Sequence, residues 1–144
     1  MISTKGRYAL RVMIDLALCS GEGYISLKDI SARQGISLKY LEQVIALLNR
    51  AGFLHSLRGS AGGYKLARSP HEYTAGDILR AAEGSLAPVA CLQNEANQCE
   101  RAACCSTLPF WKKYYETINE YVDSVTLQEL ADNAREMQGN DYSI

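Results

Sequence analysis

The sequence lacks the two features that would direct a chain into or across a membrane, a long apolar run and a targeting segment. No stretch approaches the roughly 18 uncharged apolar residues of a membrane-spanning helix, and the N-terminus has no basic flank followed by an apolar segment and a cleavage site. Hydrophobic residues nevertheless make up 47% of the 144 residues, enough to build a core. We therefore expect a folded protein of the cytoplasm that makes no membrane contact.

Histidine is scarce, and the common motifs of nucleotide-dependent and redox enzymes are missing. The two histidines, His55 and His71, are not adjacent to the clustered cysteines, and the chain has no CxxC pair, P-loop or dinucleotide-binding fingerprint. We therefore expect the protein not to be an enzyme. A thiol-dependent oxidoreductase is the alternative from another class of function.

Charge is unevenly distributed although the net charge is only −1. Residues 1–70 carry ten Lys and Arg against four Asp and Glu, a balance of +6, whereas residues 71–144 carry five against twelve, a balance of −7. A basic half suits contact with the phosphates of nucleic acid, and an acidic half is better placed away from them. Ordinary variation in surface charge is the alternative explanation.

The first 51 residues have the apolar periodicity of three helices. The pattern predicts a first helix over residues 6–19, a second over 27–34 and a third over about 38–51. The third helix has one apolar side and one polar, basic side, and it follows the second after a tight turn at Gly35. This arrangement is typical of a helix-turn-helix.

A β-hairpin is predicted directly after the third helix. Residues 53–57 and 64–66 have strand character, and the Gly-rich residues 58–63 form the loop between them. A fourth helix over residues 75–83 follows. The predicted fold is therefore mainly α with a small β-hairpin, a winged helix-turn-helix whose DNA-binding domain spans residues 1–84.

The start of the third helix carries the side chains best placed to read base edges. Lys39 suits phosphate or guanine, Gln43 suits adenine, and Tyr40 suits a phosphate or a thymine methyl group. The arginine of the wing loop suits the minor groove, and the cations near the start of the first helix suit the DNA backbone. The predicted DNA-binding residues are Lys5, Arg7, Ser37, Lys39, Tyr40, Gln43, Arg58, Gly59 and Ser60.

The C-terminal part, residues 109–144, is predicted to hold a dimer together. A long helix over residues 110–124 carries a broad aromatic stripe, which a chain of this length would leave exposed in a monomer. We therefore expect a homodimer on a roughly palindromic DNA site; a stripe that folds back on its own core is the alternative. One or two helical turns are predicted after Thr126, and the tail from Gln138 is predicted to fray.

Four of the five cysteines, Cys91, Cys99, Cys104 and Cys105, lie in the aperiodic segment 85–108. Clustered thiols in a long loop suit an iron–sulfur or zinc site, because sulfur is a soft donor and an irregular backbone can wrap a metal. The spacing matches neither a zinc ribbon nor a ferredoxin. A thiol-redox switch is the other alternative. Cys19 is expected to lie in the core.

Several local motifs point together to one known family. They are STKGRYA at 3–9, ISARQGIS at 30–37, YLEQ at 40–43, RG at 58–59 with GGY at 62–64, and TLQEL at 126–130. On these motifs the chain, from residue 1 to about residue 132, resembles the IscR-type winged-helix transcriptional regulators, a family that also contains NsrR, RirA and CymR. The resemblance implies a dimer that crosses over through the long C-terminal helix.

The resemblance also implies an iron–sulfur cluster held by Cys91, Cys99 and Cys105, with a 2Fe–2S cluster favoured and a 4Fe–4S cluster as the alternative. Other members place a histidine three residues after the last cysteine or an acid early in the first helix, where this chain has Leu108 and Tyr8. The fourth ligand is therefore open. The candidates are Cys104, as a fourth or reserve ligand, Glu95, Glu100 and an exogenous thiol or water.

The function implied by the resemblance is sequence-specific control of transcription, as a repressor that senses cluster status, iron, or redox or nitrosative stress. CymR-like members of the family lack the cluster, but they also lack these cysteines. The alternative is a winged-helix regulator whose thiol-redox switch or zinc site controls cysteine or sulfur metabolism.

Overall fold

A computed structural model describes the backbone of residues 1–142 and the side chains through Gly139. Two short 3-10 helices, Pro70–Glu72 and Ala90–Leu92, lie before the fourth and fifth α-helices. The mainly helical architecture with one antiparallel hairpin confirms the predicted fold class. In chain order the elements are α1 (Thr4–Leu18), α2 (Leu27–Gln34), α3 (Leu38–Arg50), β1 (Leu54–Leu57), β2 (Gly63–Leu66), α4 (Ala75–Glu83), α5 (Leu108–Ser124) and α6 (Leu127–Tyr142).

Local capping fixes the ends of α2 and α4, whose predicted bounds are confirmed. The Ser26 hydroxyl accepts a hydrogen bond from the backbone N–H of Asp29 at 3.2 Å, and Gly35 ends α2 with a left-handed φ of 64°. Thr74 and Asp77 form a reciprocal capping box at the start of α4, with two hydrogen bonds of 3.0 Å. These signals are contained within four residues, so they can be read from sequence.

Helix α1 runs through the centre of the fold and packs against α3, α4, α6 and the wing. Full burial of one large apolar side chain contributes about 1.5–3 kcal/mol, so the stability of the molecule is concentrated around this helix. The largest fully buried side chains are Val12, Met13, Ile30, Leu41, Val44, Leu48, Tyr73, Ile78 and Leu127.

The wing is anchored to the loop before α2. Strands β1 and β2 pair with Leu54 opposite Leu66 and Leu57 opposite Gly63. Ile25 and Tyr64 exchange two further backbone hydrogen bonds of 2.8 Å. A Cβ at Gly63 would lie 2.1 Å from the carbonyl oxygen of Ile25, so only glycine allows this close backbone approach.

Tyr73 joins the wing to the junction between α5 and α6. Its side chain is fully buried, and its hydroxyl donates to the carbonyl of Phe53 at 2.8 Å and accepts from the N–H of Arg68 at 3.1 Å. Its own carbonyl accepts from the N–H of Leu127 at 2.9 Å. One residue thus satisfies backbone groups on both sides of the hairpin and at the start of α6.

The prediction of only one or two helical turns after Thr126 is wrong. Helix α6 has 16 residues and continues through Tyr142, beyond the predicted start of fraying at Gln138; residues 143–144 lie outside the described part. Leu127 and Ala131, one turn apart, are fully buried in the same core as α1. Tertiary packing of this kind stabilises helices whose own sequence signal is weak.

Helix α5 is held more loosely than the other helices. None of its residues is buried, and the exposed fractions of Phe110 and Tyr121 are 62% and 69%. The helix begins at Leu108, two residues before the predicted start, with Pro109 in its first turn. Within residues 1–142, no helix has both the length and the apolarity needed to cross a bilayer.

Candidate DNA-binding surface and cysteine loop

Helix α3 presents two sides of opposite character. Leu41 and Val44 are fully buried on one side, while Lys39 and Gln43 are exposed on the other. The Ser37 hydroxyl accepts a hydrogen bond from the backbone N–H of Tyr40 at 3.3 Å, so it caps the helix and fixes its start. The structure therefore places the predicted base-reading side chains in solvent, on the first turns of a helix whose other side is immobilised in the core.

Tyr40 is half-buried rather than free at the surface. Its ring meets that of Tyr8 edge-on, with centroids 5.3 Å apart, and the guanidinium of Arg11 lies 5.2 Å from the centre of the Tyr8 ring. Tyr40 therefore ties the first turn of α3 to α1 as well as reaching the surface. This pairing could not be predicted from sequence, because the two tyrosines are far apart along the chain.

The tip of the wing consists of exposed residues. Arg58, Gly59 and Ser60 are all exposed, and the N–H of Gly62 donates to the carbonyl of Gly59 at 3.0 Å to close the turn. Gly59 has a φ of 109°, which disfavours any residue with a side chain. Arg58 makes no ion pair among the described residues, so its guanidinium is available to a phosphate or a groove.

The first turn of α1, which carries the exposed Lys5 and Arg7, is capped from a distant part of the chain. Ser3 makes no side-chain hydrogen bond to its own helix. Instead, Oε1 of Glu83 accepts from the N–H of Ser3 at 2.8 Å, from its hydroxyl at 2.7 Å and from the N–H of Gly6 at 3.1 Å. Sequence reasoning missed Glu83 because about 80 residues separate it from the groups it binds.

A partly buried ion pair joins α1 to α2. The side chain of Asp15 is only 5% exposed, whereas that of Arg33 is 44% exposed, and Asp15 accepts from Arg33 Nε at 2.9 Å and Nη2 at 2.8 Å. Gln34 donates to the same carboxylate at 3.1 Å. The hydrogen bond to Asp15 raises the pKa of Arg33, so the guanidinium stays charged. The pair orients α2 relative to α1, and through α2 the turn that leads into α3.

Cys19 is half-buried rather than in the core, contrary to the prediction. It ends α1, lines a surface cavity of about 490 Å³ beside the root of the wing, and lies 3.7 Å from Arg33 Nη2. Burial raises the pKa of its thiol, which keeps the thiol protonated and poorly nucleophilic. Cys19 is therefore separate in position and in chemistry from the other four cysteines.

Residues 85–107, the cysteine loop, have little regular structure, and Leu86 is their one buried side chain. Cys91 and Cys105 are half-buried, Cys99 and Cys104 are exposed, and all are free thiols. Cys91 and Cys99 line one cavity of about 320 Å³, while Cys105 is not part of its lining. Across the described residues, no three Cys, His, Asp or Glu side chains are grouped closely enough to hold a metal ion.

Cys105 has the features of a reactive thiol. Its sulfur lies 3.4 Å from the Thr107 hydroxyl, directly before α5. That hydrogen bond, followed by those from the backbone of Thr107 and Leu108, lowers the pKa of Cys105, and the charge of Arg101 acts in the same direction. A thiolate at this position is favoured as a nucleophile and as a metal ligand.

A clamp of polar side chains connects α4 to α5. Arg80 donates to Asp123 at 2.7 and 3.0 Å and to Asn119 at 2.8 Å. The bond to Asp123 raises the pKa of Arg80. Asn119 and Asp123 also line an open groove with Leu92, the neighbour of Cys91. The clamp thus ties α4 to α5 beside the first cysteine of the loop.

A family model described as "Rrf2: Iron-dependent Transcriptional regulator" matches residues 2–133, most of the chain. The chain belongs to the Rrf2 family. The predicted resemblance to IscR-type regulators is therefore confirmed, since proteins named IscR and CymR are among its Rrf2 relatives.

The chain is about equally similar to a relative named CymR and to one named IscR. The chain is 42% identical to the HTH-type transcriptional regulator CymR of Bacillus subtilis over 130 residues, 90% of this chain and 88% of CymR. It is 39% identical over 132 residues to the HTH-type transcriptional regulator IscR of Pectobacterium carotovorum, 92% of this chain and 79% of that protein. Each match spans about nine-tenths of this chain.

Solved structures of an IscR and of a CymR are also about equally similar to this chain. IscR from T. potens superposes with a TM-score of 0.76 at 43% identity, covering 96% of this chain and 90% of that one. The structure of the B. subtilis protein, described as the global cysteine regulator, superposes with a TM-score of 0.75 at 41% identity, covering 92% and 97%. This Rrf2 protein is therefore a helix-turn-helix transcriptional regulator, similar to both proteins.

Proposed function

We propose that this Rrf2 protein is a sequence-specific DNA-binding repressor that acts as a cytoplasmic homodimer on a roughly palindromic operator. The observation that carries the proposal is the two-sided α3, with its cap and core side fixed and Lys39 and Gln43 exposed beside a wing that presents Arg58. A rigid helix with free polar side chains is what reading of the major groove needs. Because its named relatives are regulators, we assign the chain no catalytic role.

The proposed contacts either read base edges or position the protein on the DNA backbone. Lys39 and Gln43 read base edges, and Tyr40 adds a phosphate contact from a position held by Tyr8. The wing inserts Arg58 into the minor groove, and the small residues Gly59 and Ser60 allow the backbone to approach. The remaining predicted contacts, at the DNA backbone, are Lys5, Arg7 and the helix start at Ser37.

Dimerisation uses the aromatic side of α5. Phe110, Tyr114 and Tyr121 are among the exposed large hydrophobic side chains of the protomer. A partner helix would cover them and set the distance between two winged domains. In this proposal residues 1–84 bind DNA, residues 85–108 sense the signal and residues 109–144 join the protomers.

The cysteine loop would hold an iron–sulfur cluster, of the 2Fe–2S type in preference to 4Fe–4S. The chemistry of the donors fits, because the loop offers four free thiols, two of them on one cavity and a third with a lowered pKa. Among the described residues no three donors are grouped around one point, so the loop would close around the cluster as it binds. Cys91, Cys99 and Cys105 would be the ligands, with Cys104 as the fourth or the reserve. When bound, the cluster supplies a redox-sensitive link between three points of the loop, and the thiols order residues 85–107 against α5.

Thiol regulation without a cluster is the second candidate. It is favoured by the lowered pKa of Cys105, by the exposure of the neighbouring Cys104 and by the similarity to CymR. In that case oxidation of the loop thiols, or zinc bound by them, would change DNA affinity in response to sulfur supply.

Anaerobic purification separates the two candidates. The cluster proposal predicts a brown protein with visible absorption and bound iron, which Cys99→Ser abolishes and Cys19→Ser, the matched control outside the loop, retains. Promoter binding is then titrated at fixed salt with and without iron. Colourless, iron-free protein that carries zinc or free thiols would support the thiol candidate.

A further inference from the structure

The carboxylate of Glu83 occupies the donor groups at the start of α1. One oxygen accepts three hydrogen bonds, of 2.7, 2.8 and 3.1 Å, from Ser3 and Gly6. The first N–H groups of a helix have no partner within the helix, and its dipole favours a negative charge there. Glu83 therefore takes the place of a local cap, and it fixes the direction in which the first turn, with Lys5 and Arg7, leaves the domain.

The contact between Glu83 and the start of α1 is tightly constrained at Gly6 and at the end of α4. A Cβ at Gly6 would lie 2.4 Å from the same Glu83 oxygen, so the glycine leaves the space that the carboxylate fills. Glu83 is the last residue of α4, and the cysteine loop begins two residues later at Ser85. A shift at the beginning of the loop must therefore displace either the Glu83 side chain or the first turn of α1.

The beginning of the cysteine loop and the N-terminus of the chain also line a common cavity. Met1 and Ile2 line a cavity of about 720 Å³ together with Ser85, Leu86 and Trp111. Leu86 is the buried side chain of the loop, and Trp111 is the single tryptophan of the protein. The loop, the start of α5 and the residues that precede α1 thus share one cavity next to Glu83.

We propose that Glu83 is a positioning residue through which the cysteine loop and the DNA-contacting first turn of α1 act on each other, an inference that rests on the proposed function. An ordered loop keeps the carboxylate on Ser3 and Gly6 and holds Lys5 and Arg7 toward the DNA backbone. A rearranged loop withdraws it, frees these N–H groups and lets the first turn change direction. Two arrangements of one contact are enough to couple the two regions.

Coupling between two sites is reciprocal, so DNA that binds residues 1–84 must also affect the cysteine loop. Acrylamide quenching of Trp111 fluorescence reports on the shared cavity. In the wild type, a promoter fragment that the protein selects from genomic DNA is expected to change the quenching constant by about twofold, a modest effect for a coupled site. In Glu83→Gln, which keeps the shape but removes the charge, the constants with and without DNA are expected to agree.

Two further variants test whether the effect is specific to the contact between Glu83 and the start of α1. Glu72→Gln removes the same charge from an exposed capping box in the same domain, where Glu72 accepts from the N–H of Ser69 at 3.1 Å, and it should keep the wild-type ratio. Ser3→Ala removes one of the three donors at an exposed position. If Glu83→Gln does not fold, Ser3→Ala should still lower the ratio.

The inference is overturned if wild-type protein binds the fragment without any change at Trp111. It is equally overturned if Glu83→Gln, or Ser3→Ala in its place, binds DNA and keeps the wild-type ratio, since the signal would then reach α5 by another route. A wild-type protein that prefers no promoter fragment over random competitor, with or without iron, instead contradicts the proposed function itself.

Discussion

The head, residues 1–84, and the cysteine loop, residues 85–107, are built in opposite ways. The head contains most of the buried apolar side chains, capped helix ends and an ion pair between the buried Asp15 and the partly exposed Arg33. The loop contains one buried side chain, one turn of 3-10 helix and four free thiols. Under the proposed function, the region that presents side chains to DNA is the rigid one, and the region that responds to a signal is the one that rearranges at low free-energy cost.

Truncation of the core should separate the two regions most clearly. Leu48→Ala removes a fully buried side chain of α3 and is expected to lower the free energy of unfolding by about 2–5 kcal/mol. Leu92→Ala, a half-buried leucine of the loop, is the matched control and should cost well under half as much. Denaturant unfolding followed by circular dichroism measures both; equal losses would show that the loop is as tightly packed as the head.

A substitution at the wing should affect DNA binding without affecting stability. Arg58→Ala is expected to weaken operator binding about tenfold or more, because the guanidinium is exposed, makes no ion pair with the residues that the structure describes and lies at the tip of the hairpin. Arg101→Ala removes an exposed arginine from the loop and should leave affinity nearly unchanged. Titration at fixed salt measures both, and unchanged affinity of Arg58→Ala would remove the wing from the interface.

The smallest expected difference between the head and the loop is in the reactivity of their thiols. Only the thiolate is alkylated, so the pH of half-maximal alkylation follows the pKa of each cysteine. In metal-free protein we expect this pH to lie below the ordinary thiol value of 9.0 at Cys105, where Thr107 lowers the pKa, and above it at Cys19, where burial raises it. Mass spectrometry of iodoacetamide adducts across a pH series measures both. A common midpoint would mean that the two thiols share one environment.

The sequence predicts well what short-range signals determine. The bounds of α2 and α4 follow from caps such as Ser26 with Asp29 and Thr74 with Asp77, and the relation of α3 to the hairpin follows from periodicity and glycine positions. The exposed positions of Lys39, Gln43 and Arg58 follow in the same way.

What escapes prediction depends on partners far along the chain. Helix α6 is long because Leu127 and Ala131 pack against α1, and Asp15 is buried because Arg33 pairs with it. Glu83 and Tyr40 act on groups that no local pattern connects with them. The assignment of Cys91, Cys99 and Cys105 as ligands stays a prediction, since the structure places only the first two on one cavity.

The hydrogen bonds of Tyr73 have a mechanical consequence. The hydroxyl of this buried residue bonds to the root of the hairpin, and its backbone carbonyl bonds to the corner where α5 turns into α6. The corner and the hairpin root therefore share one point of attachment. We expect a tilt of α5 to be passed on through Tyr73 and to shift Arg58 at the far end of the hairpin.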